Sequence, residues 1–217
     1  LPISTLRERS PRAHEAFCLP FFVNSALHPW VELVRVESGI GRDDDPTTML
    51  ELLHTWIERQ LAAPADALPL LATLLDVPPS AGYEALALSP QARKLRTIEV
   101  LMELLLPPRE GPPTLVVLED LHWVDPSTMD MLRSMVARIA ERPALLLMTA
   151  RPAFESPWAG DASVHELHLR PFDDEDARAL VLAMTEGLRL PAQMLTQLVE
   201  RTDGIPLFVE ELTRMLI

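Results

Sequence analysis

The sequence predicts an α/β protein with a parallel sheet flanked by helices, followed by a small helical lid. Two apolar runs, at residues 114–118 and Ala144–Met148, lack polar alternation, which is typical of strands buried on both faces of a parallel sheet. A stretch with apolar residues at helical spacing separates them, so the three segments form one βαβ crossover unit. After Pro171 only helical patterns follow. We therefore predict an α/β domain at residues 1–170 and the start of the lid at residues 171–217.

Further elements are predicted before the first of these two strands. Thr47 or Thr48 is expected to cap one helix, and Ser89, followed by a proline at the first helical position, to cap another. Residues 14–22 are an apolar stretch that we interpret as a strand, and residues 3–9 as the tail of a helix. Apolar residues at helical spacing predict helices over residues 24–36, 47–63, 66–75 and 89–106.

The later helices also carry start signals. Asp125 is predicted to cap the helix after the first buried strand, with Pro126 where proline is tolerated. The acidic run that begins at Asp173 complements the dipole of a following helix. A short strand is expected at residues 167–169, and helices at residues 173–186, 191–202 and 206–217.

The composition narrows the classes of function. The formal net charge is −13, and direct nucleic-acid binding is not expected, because such binding depends on Lys and Arg to neutralise phosphates. No apolar run approaches the roughly 18 residues that span a bilayer, and the first residues do not resemble a secretory signal, so no membrane association is expected. The single cysteine, Cys18, excludes an internal disulfide framework, and we expect a cytoplasmic protein.

Two carboxylates stand where the first buried strand ends, Glu119 and Asp120. Ligands of open α/β sheets bind beyond the carboxyl ends of the strands. In phosphoryl-transfer sites, one acid at such an end holds Mg²⁺ and another orients the attacking water. Acidic pairs at strand ends are also common without function, so the pair alone is a weak signal.

The longer string that contains this pair is more specific. LVVLEDLHWVDPST, at residues 115–128, resembles the Walker B segment of STAND-type P-loop AAA ATPase modules, which occur fused to class III adenylate and guanylate cyclases and to large LuxR-type regulators. Four other segments resemble the same family in order and spacing. They are CLPFFVNSALHPWVEL at residues 18–33, LLLMTAR at 145–151, LRPFDDEDARAL at 169–180 and TDGIPLFVEEL at 202–212.

The resemblance implies a P-loop NTPase-like fold and roles for individual residues. Glu119 takes the place of the Mg²⁺-coordinating acid and Asp120 that of the water-orienting acid, although relatives often carry Asp at the first position. Arg151 would sense the terminal phosphate, and Gly204 and Pro206 would line the base side of the nucleotide from the lid. The implied cofactors are ATP or ADP with Mg²⁺. The implied partners are an output domain in the same polypeptide, of cyclase or transcription-regulator type, and helical repeats.

The phosphate-binding loop of that family is absent from this sequence. No G-x-x-x-x-G-K-[ST] motif occurs, and the only lysine, Lys94, lies in a predicted helix without a nearby glycine. The segment Gly39-Ile40-Gly41-Arg42 follows no strand, and we interpret it as a loop. Residues 1–9 resemble the helix after the phosphate-binding loop, so we expect the Walker A motif and the first strand to be missing. We expect this chain to bind ATP poorly and not to hydrolyse it.

Two other hypotheses remain for the function. The first is that the chain is a non-catalytic protein-interaction module with a degenerate NTPase fold. An unrelated α/β enzyme with Glu119 and Asp120 as an acid/base pair is disfavoured, because adjacent side chains at a strand end diverge. His122 and Trp123 suggest no chemistry of their own. We expect His122 to be a hydrogen-bonded structural residue and Trp123 to pack, and the other histidines form no zinc-ligand pattern.

Overall fold

Three parallel strands form the sheet of the computed structural model, which describes residues 12–60, 63–185 and 191–215. They are β1 (Arg12–Phe17), β2 (Thr114–Glu119) and β3 (Ala144–Met148), in the order β1-β2-β3. In this register Phe17 lies beside Glu119, and Leu118 lies beside Met148. The prediction of an α/β protein with a parallel sheet is confirmed. The predicted helical tail at residues 3–9 lies outside the described residues.

The central strand matches the sequence prediction more closely than the strand beside it. All of β2 except its last residue is buried, as an apolar run without alternation predicts. In β3, Ala144, Leu146 and Met148 pack against the main core, but Leu145 is 52% exposed. The expectation that β3 is buried on both faces is therefore wrong. An apolar run does not reveal how many faces of a strand are covered by helices. Among the described strands, β3 also lies at the edge of the sheet, with a neighbour on one side only.

Within the described part of the first unit, five α-helices accompany the sheet. Helix α1 is His28–Ser38, α2 is Pro46–Glu58, α3 is Ala67–Leu74, α4 is Pro90–Leu105 and α5 is Pro126–Ile139. The predicted caps Ser89 and Asp125 are confirmed, since each side chain accepts hydrogen bonds from backbone N–H groups of its helix. The predicted cap at Thr47 or Thr48 is wrong, because Asp45 accepts from the backbone N–H groups of both threonines. Pro46 occupies the first helical position, which a missing N–H does not disturb.

The core of this unit joins the helices to one face of the sheet. Trp30 of α1, Leu53 of α2 and Leu101 of α4 are fully buried within it, together with Val116 and Leu118 of β2. Burial of such side chains is the main favourable contribution to folding, about 1.5–3 kcal/mol for each. The core therefore fixes β2, and with it the position of the residues that follow this strand.

The first unit ends at Val164, and a second compact unit begins at His165, six residues before the predicted boundary at Pro171. It contains α6 (Asp174–Met184), α7 (Ala192–Thr202) and α8 (Pro206–Arg214). Its small core is formed by Ala177, Val181, Leu198, Val199 and Val209.

The strand predicted at residues 167–169 is not formed. Leu167 and Leu169 are 84% and 96% exposed, and the segment pairs with no strand of the described chain. Three residues with alternating polarity are too few to specify a strand without a partner. No helix among the described residues is both long enough and apolar enough to cross a membrane.

Candidate functional site

The candidate site lies at the carboxyl end of the central strand. Glu119 is the last residue of β2 and is half-buried, while Asp120 follows it and is exposed. On the β1 side, the backbone N–H of Cys18 donates to the Glu119 carbonyl oxygen at 2.9 Å. The sequence prediction that both acids stand at a strand end is confirmed. Because β2 packs in the hydrophobic core, the backbone at Glu119 and Asp120 has a fixed position.

Thr149 joins the ends of β2 and β3. Its hydroxyl donates to Glu119 Oε2 at 2.9 Å and accepts from the backbone N–H of Asp120 at 3.1 Å. Its backbone N–H donates to the Leu118 carbonyl oxygen, and its carbonyl oxygen accepts from the Leu121 N–H. Sequence reasoning assigned no role to Thr149. A polar residue directly after an apolar strand was the available signal, but its partners lie about thirty residues away in the chain.

Asp120 has a backbone conformation that few residues adopt. Its φ of 59° lies in the left-handed region, where Asp and Asn are more frequent than other side chains apart from Gly. The carboxylate forms no hydrogen bond with any described residue, and the His122 ring lies beside it, at 3.9 Å between Nδ1 and Oδ1. The Asp120 carboxylate is therefore open to solvent, whereas one oxygen of Glu119 is already engaged.

Asp125 forms a buried connection below this end of the sheet. One of its oxygens, Oδ1, accepts from the backbone N–H groups of Ser127 and Thr128, which caps α5. The same oxygen accepts from the N–H of Leu27 at 3.1 Å, which is the residue before α1. The residue is 2% exposed. A single carboxylate oxygen thus fixes the starts of two helices against each other.

Cys18 directly follows β1 and is 1% exposed. Burial raises the pKa of its thiol to about 12, with smaller contributions from the carboxylates of Asp125 and Asp120. A thiol is a nucleophile only as the thiolate, so Cys18 is a packed, unreactive group at neutral pH.

Arg151 follows β3 by three residues, and Thr149, two residues before it, bonds to Glu119. Its side chain is exposed and forms no hydrogen bond or ion pair with any residue that the structure describes. Its guanidinium is therefore available to an external anion.

Gly204 and Pro206 belong to the second unit, where Gly204 packs closely against Phe172 and Pro206 begins a helix. Gly204 has a φ of 67°, and a Cβ there would lie 2.1 Å from the Phe172 carbonyl oxygen. The Phe172 N–H also donates to the Gly204 carbonyl oxygen at 2.7 Å. Pro206 is the first residue of α8. These local contacts require glycine at residue 204 whether or not a ligand binds.

The loop residues after Asp120 follow the predictions in part. Trp123 packs against the main core, as expected. His122 is wrong as a hydrogen-bonded residue, because both of its ring nitrogens are buried without a hydrogen-bond partner among the described residues. Its ring contacts that of Trp123, with 5.1 Å between the centroids. No group of three or more His, Cys, Asp or Glu side chains in the described residues could hold a metal ion.

Two segments were rejected as phosphate-binding loops in the sequence, residues 39–42 and the surroundings of Lys94, and the structure shows a helix end with its following loop and a helix there. Gly39 ends α1 with a φ of 78°, and the N–H of Gly41 donates to the Asp44 carboxylate at 2.7 Å. Because the Gly41 N–H already bonds to this carboxylate, it is not free to bind a phosphate. Lys94 lies in α4, and its ammonium pairs with Asp130 at 3.4 Å.

The arrangement places two consecutive acidic residues and one hydroxyl, which bonds to the Glu119 carboxylate, at an accessible strand end. Carboxylate, hydroxyl and water oxygens are the ligands that Mg²⁺ prefers, and one or two protein carboxylates suffice when other ligands come from water and phosphate. An unengaged carboxylate such as that of Asp120 can also orient a water molecule by accepting its hydrogen.

Comparison with curated proteins finds a relative in Rhizobium meliloti (strain 1021), described as an uncharacterized protein, with 31% identity over 218 residues. The match covers 95% of this chain but 20% of the relative, so the chain spans about a fifth of the relative's length. No family model and no solved structure matches the chain.

Proposed function

We propose that this chain belongs to the ATP-binding switch module of a multidomain signalling protein, of the STAND P-loop ATPase type. The observation that carries the proposal is the end of β2, where Glu119 is held by Thr149 and Asp120 faces solvent. A buried parallel strand that ends in two carboxylates of different exposure suits the two tasks of a phosphoryl-transfer site. The finer fold, a P-loop NTPase core followed by a helical lid, is part of the same proposal.

The donor set at this strand end fits Mg²⁺. Glu119 would hold the ion through its carboxylate, and Thr149 fixes one oxygen of that carboxylate. Bound Mg²⁺ would neutralise charge on the nucleotide phosphates. Asp120 would accept a hydrogen bond from the attacking water, and Arg151 would bind the terminal phosphate with its exposed guanidinium. Gly204 and Pro206 are the proposed contacts to the base.

The 217 residues supply little positive charge for a triphosphate. The net charge is −13, the only lysine pairs with Asp130, and no glycine-rich loop cradles phosphate. Because an acidic surface repels an anionic ligand, we propose that this chain alone binds ATP weakly and does not hydrolyse it. In the longer protein, ATP would shift a conformational equilibrium that an output domain of cyclase or transcription-regulator type reads.

Calorimetry with ATP and ADP in the presence of Mg²⁺ tests the proposal. The 217-residue chain is compared with a version extended towards the N-terminus by about fifty residues, enough for a strand, a phosphate-binding loop and a helix start. We expect micromolar binding by the extended chain and millimolar or no binding by the shorter one. Micromolar binding by the 217 residues alone would contradict the proposal.

Variants of the extended chain localise the effect. Asp120→Ala is expected to abolish ATP hydrolysis while nucleotide still binds, because the water loses its acceptor. Thr149→Val is expected to lower hydrolysis, and Thr149→Ser, which keeps the hydroxyl, to retain it. Asp43→Ala changes an exposed carboxylate in the loop between α1 and α2 and serves as the matched control. An equal effect of Asp43→Ala and Asp120→Ala would show that only the overall charge matters.

A non-catalytic interaction module is the second candidate, and exposed side chains after β1 favour it. Phe21 is 91% exposed, and Phe17 and Leu19 are also exposed, next to the Cys18 that bonds to Glu119. Apolar side chains grouped at a surface are typical of protein contacts. The absence of nucleotide binding by both chains would favour this candidate.

A further inference from the structure

A cavity of about 310 Å³ lies between α3, the turn that follows it and the start of α4. Leu70 and Val77 supply buried apolar surface, and the cavity has one carboxylate and one guanidinium in its lining, from Asp76 and Arg93. The volume is in the range of small-molecule sites, which are mostly apolar with a few polar groups that fix the ligand. None of these residues belongs to the strand end described above.

The walls of the cavity are held by hydrogen bonds that do not involve the two charged groups. The Tyr83 hydroxyl donates to the Val77 carbonyl oxygen at 2.8 Å, and the Thr73 hydroxyl donates to the Pro69 carbonyl oxygen at 2.8 Å. Leu70 and Val77 are 2% and 3% exposed. The cavity is therefore preformed, and a ligand need not order its walls on binding.

Asp76 stands where the fold favours another residue. The Asp76 N–H donates to the Thr73 carbonyl oxygen and the Val77 N–H donates to the Ala72 carbonyl oxygen, which is the Schellman ending of a helix. The residue in the left-handed conformation of that motif, here Asp76 with a φ of 58°, is usually glycine. A carboxylate at a helix C-terminus also opposes the helix dipole. Aspartate is thus tolerated in this backbone conformation, but glycine would be preferred and the aspartate charge is unfavourable beside the end of the helix.

Arg93 is also placed against the helix dipole. It is the fourth residue of α4, near an N-terminus that favours anions over cations. It is half-buried, and its guanidinium donates one long hydrogen bond, 3.4 Å to the Leu88 carbonyl oxygen. Within the part of the chain that the structure describes, neither Asp76 nor Arg93 forms an ion pair, with each other or with another residue. Two opposite charges thus line one cavity and remain available.

We propose that this cavity binds a free α-amino acid with an apolar side chain. Arg93 binds the carboxylate, Asp76 binds the ammonium group, and the side chain packs against Leu70 and Val77. A guanidinium is well suited to a carboxylate, and charge-assisted hydrogen bonds are the strong ones. An α-amino acid carries an ammonium group, a carboxylate and an apolar side chain on one carbon, which matches the three kinds of group in this lining. The site does not depend on nucleotide binding at the end of β2.

Calorimetric titration of the 217-residue chain with L-leucine tests the proposal. Two analogues each lack one charge: leucinamide has no carboxylate, and 4-methylpentanoate has no ammonium group. We expect L-leucine to bind with a dissociation constant below about 1 mM, and each analogue to bind at least about tenfold more weakly. No saturable binding of L-leucine at about 10 mM, or equal binding of the three compounds, would overturn the proposal.

Single variants assign each charge to its partner. Arg93→Gln is expected to weaken L-leucine at least about tenfold but to leave leucinamide unchanged, because leucinamide has no carboxylate to lose. Asp76→Asn is expected to weaken L-leucine but to leave 4-methylpentanoate unchanged. Arg59→Gln and Asp43→Asn, which change exposed charges elsewhere, are the matched controls. L-leucine binding that both cavity variants retain would show that the ligand does not use these two residues.

A second variant separates binding from folding. Asp76→Gly places the preferred residue in the left-handed position, so we expect the melting temperature to rise by about 2–4 °C while L-leucine binding is lost. A glycine variant that is more stable and still binds L-leucine with unchanged affinity would contradict the role of the carboxylate. Because this variant is expected to be well folded, loss of binding cannot be attributed to unfolding.

Discussion

Asp125 connects more of the structure than any sequence pattern indicated. One carboxylate oxygen accepts three backbone N–H groups, from Ser127, Thr128 and Leu27. Asp125→Ala would leave all three donors without this acceptor inside the protein. We expect a loss of about 2–4 kcal/mol in the free energy of unfolding, measured by urea denaturation, because a missing cap and a buried unsatisfied donor both contribute.

The control for this variant is Asp45→Ala in α2. Asp45 caps its helix with the same geometry, accepting from Thr47 and Thr48, but it is exposed and bonds to no other element. We expect a clearly smaller loss. Equal losses for the two variants would mean that the bond to Leu27 contributes nothing to stability.

Cys18 predicts how stability depends on pH. The thiol of an unfolded chain loses its proton near pH 9.0, whereas the folded protein raises this pKa to about 12. Between these values the folded state binds one more proton than the unfolded state, so the free energy of unfolding falls as the pH rises. The contribution of Cys18 is fully present below about pH 9 and is lost towards pH 12.

Urea denaturation between about pH 8 and about pH 11 checks this prediction, because this range includes the pKa of cysteine in an unfolded chain. Cys18→Ala has no thiol to titrate, so its stability is expected to fall less steeply with pH than that of the wild type. The ionisable groups that both proteins share cancel in the comparison. Parallel pH profiles would contradict the assignment.

At the scale of elements, helix starts were predictable where a single candidate capping residue directly precedes a proline. Ser89 and Asp125 are such cases, and their caps depend on neighbours within three residues. The start of the helix at Pro46 was misplaced by one residue, since three consecutive acids and two threonines offer several possible caps. The first strand was predicted at residues 14–22 but ends at Phe17, because apolar residues continue beyond the last contact with β2.

The candidate site was likewise predictable from the sequence only in part. The position of Glu119 and Asp120 follows from local sequence, because an apolar run that ends in acids indicates a strand end. The bonds of Thr149 to Glu119 and of Asp125 to Leu27 depend on which strands and helices become neighbours. That information is distributed along the chain, and no local pattern carries it.

Gly204 gives a prediction for the element that precedes α8. Gly204→Ala introduces a Cβ that would lie 2.1 Å from the Phe172 carbonyl oxygen, in a backbone conformation that disfavours any side chain. We expect the second unit to lose roughly 2 kcal/mol or more, measured by circular dichroism during thermal unfolding. Asp203→Ala, at the neighbouring residue with a φ of 49°, is the control and is expected to cost less. A fully stable Gly204→Ala variant would show that Phe172 moves aside without cost.

For the molecule as a whole, β3 is an edge strand of the described sheet, with an exposed apolar side chain. Leu145 is 52% exposed on a strand with one described neighbour, and such edges pair with other chains. Leu145→Lys is expected to slow aggregation on heating, measured by light scattering, with little change in melting temperature. Leu146→Lys, which places the charge against the main core, is the control and is expected to unfold the protein. Unchanged aggregation of Leu145→Lys would show that other surfaces dominate association.

The bond between Leu27 and Asp125 also has a consequence for the newly made chain. Its two residues are 98 positions apart, and β1 pairs only with β2 among the described strands, at a similar separation. At about 5–20 residues per second, a ribosome needs roughly 5–20 seconds to add that length. During this interval β1 lacks the strand with which it pairs among the described residues. β1 therefore becomes ordered only after β2 has left the ribosome, later than its own position in the chain suggests.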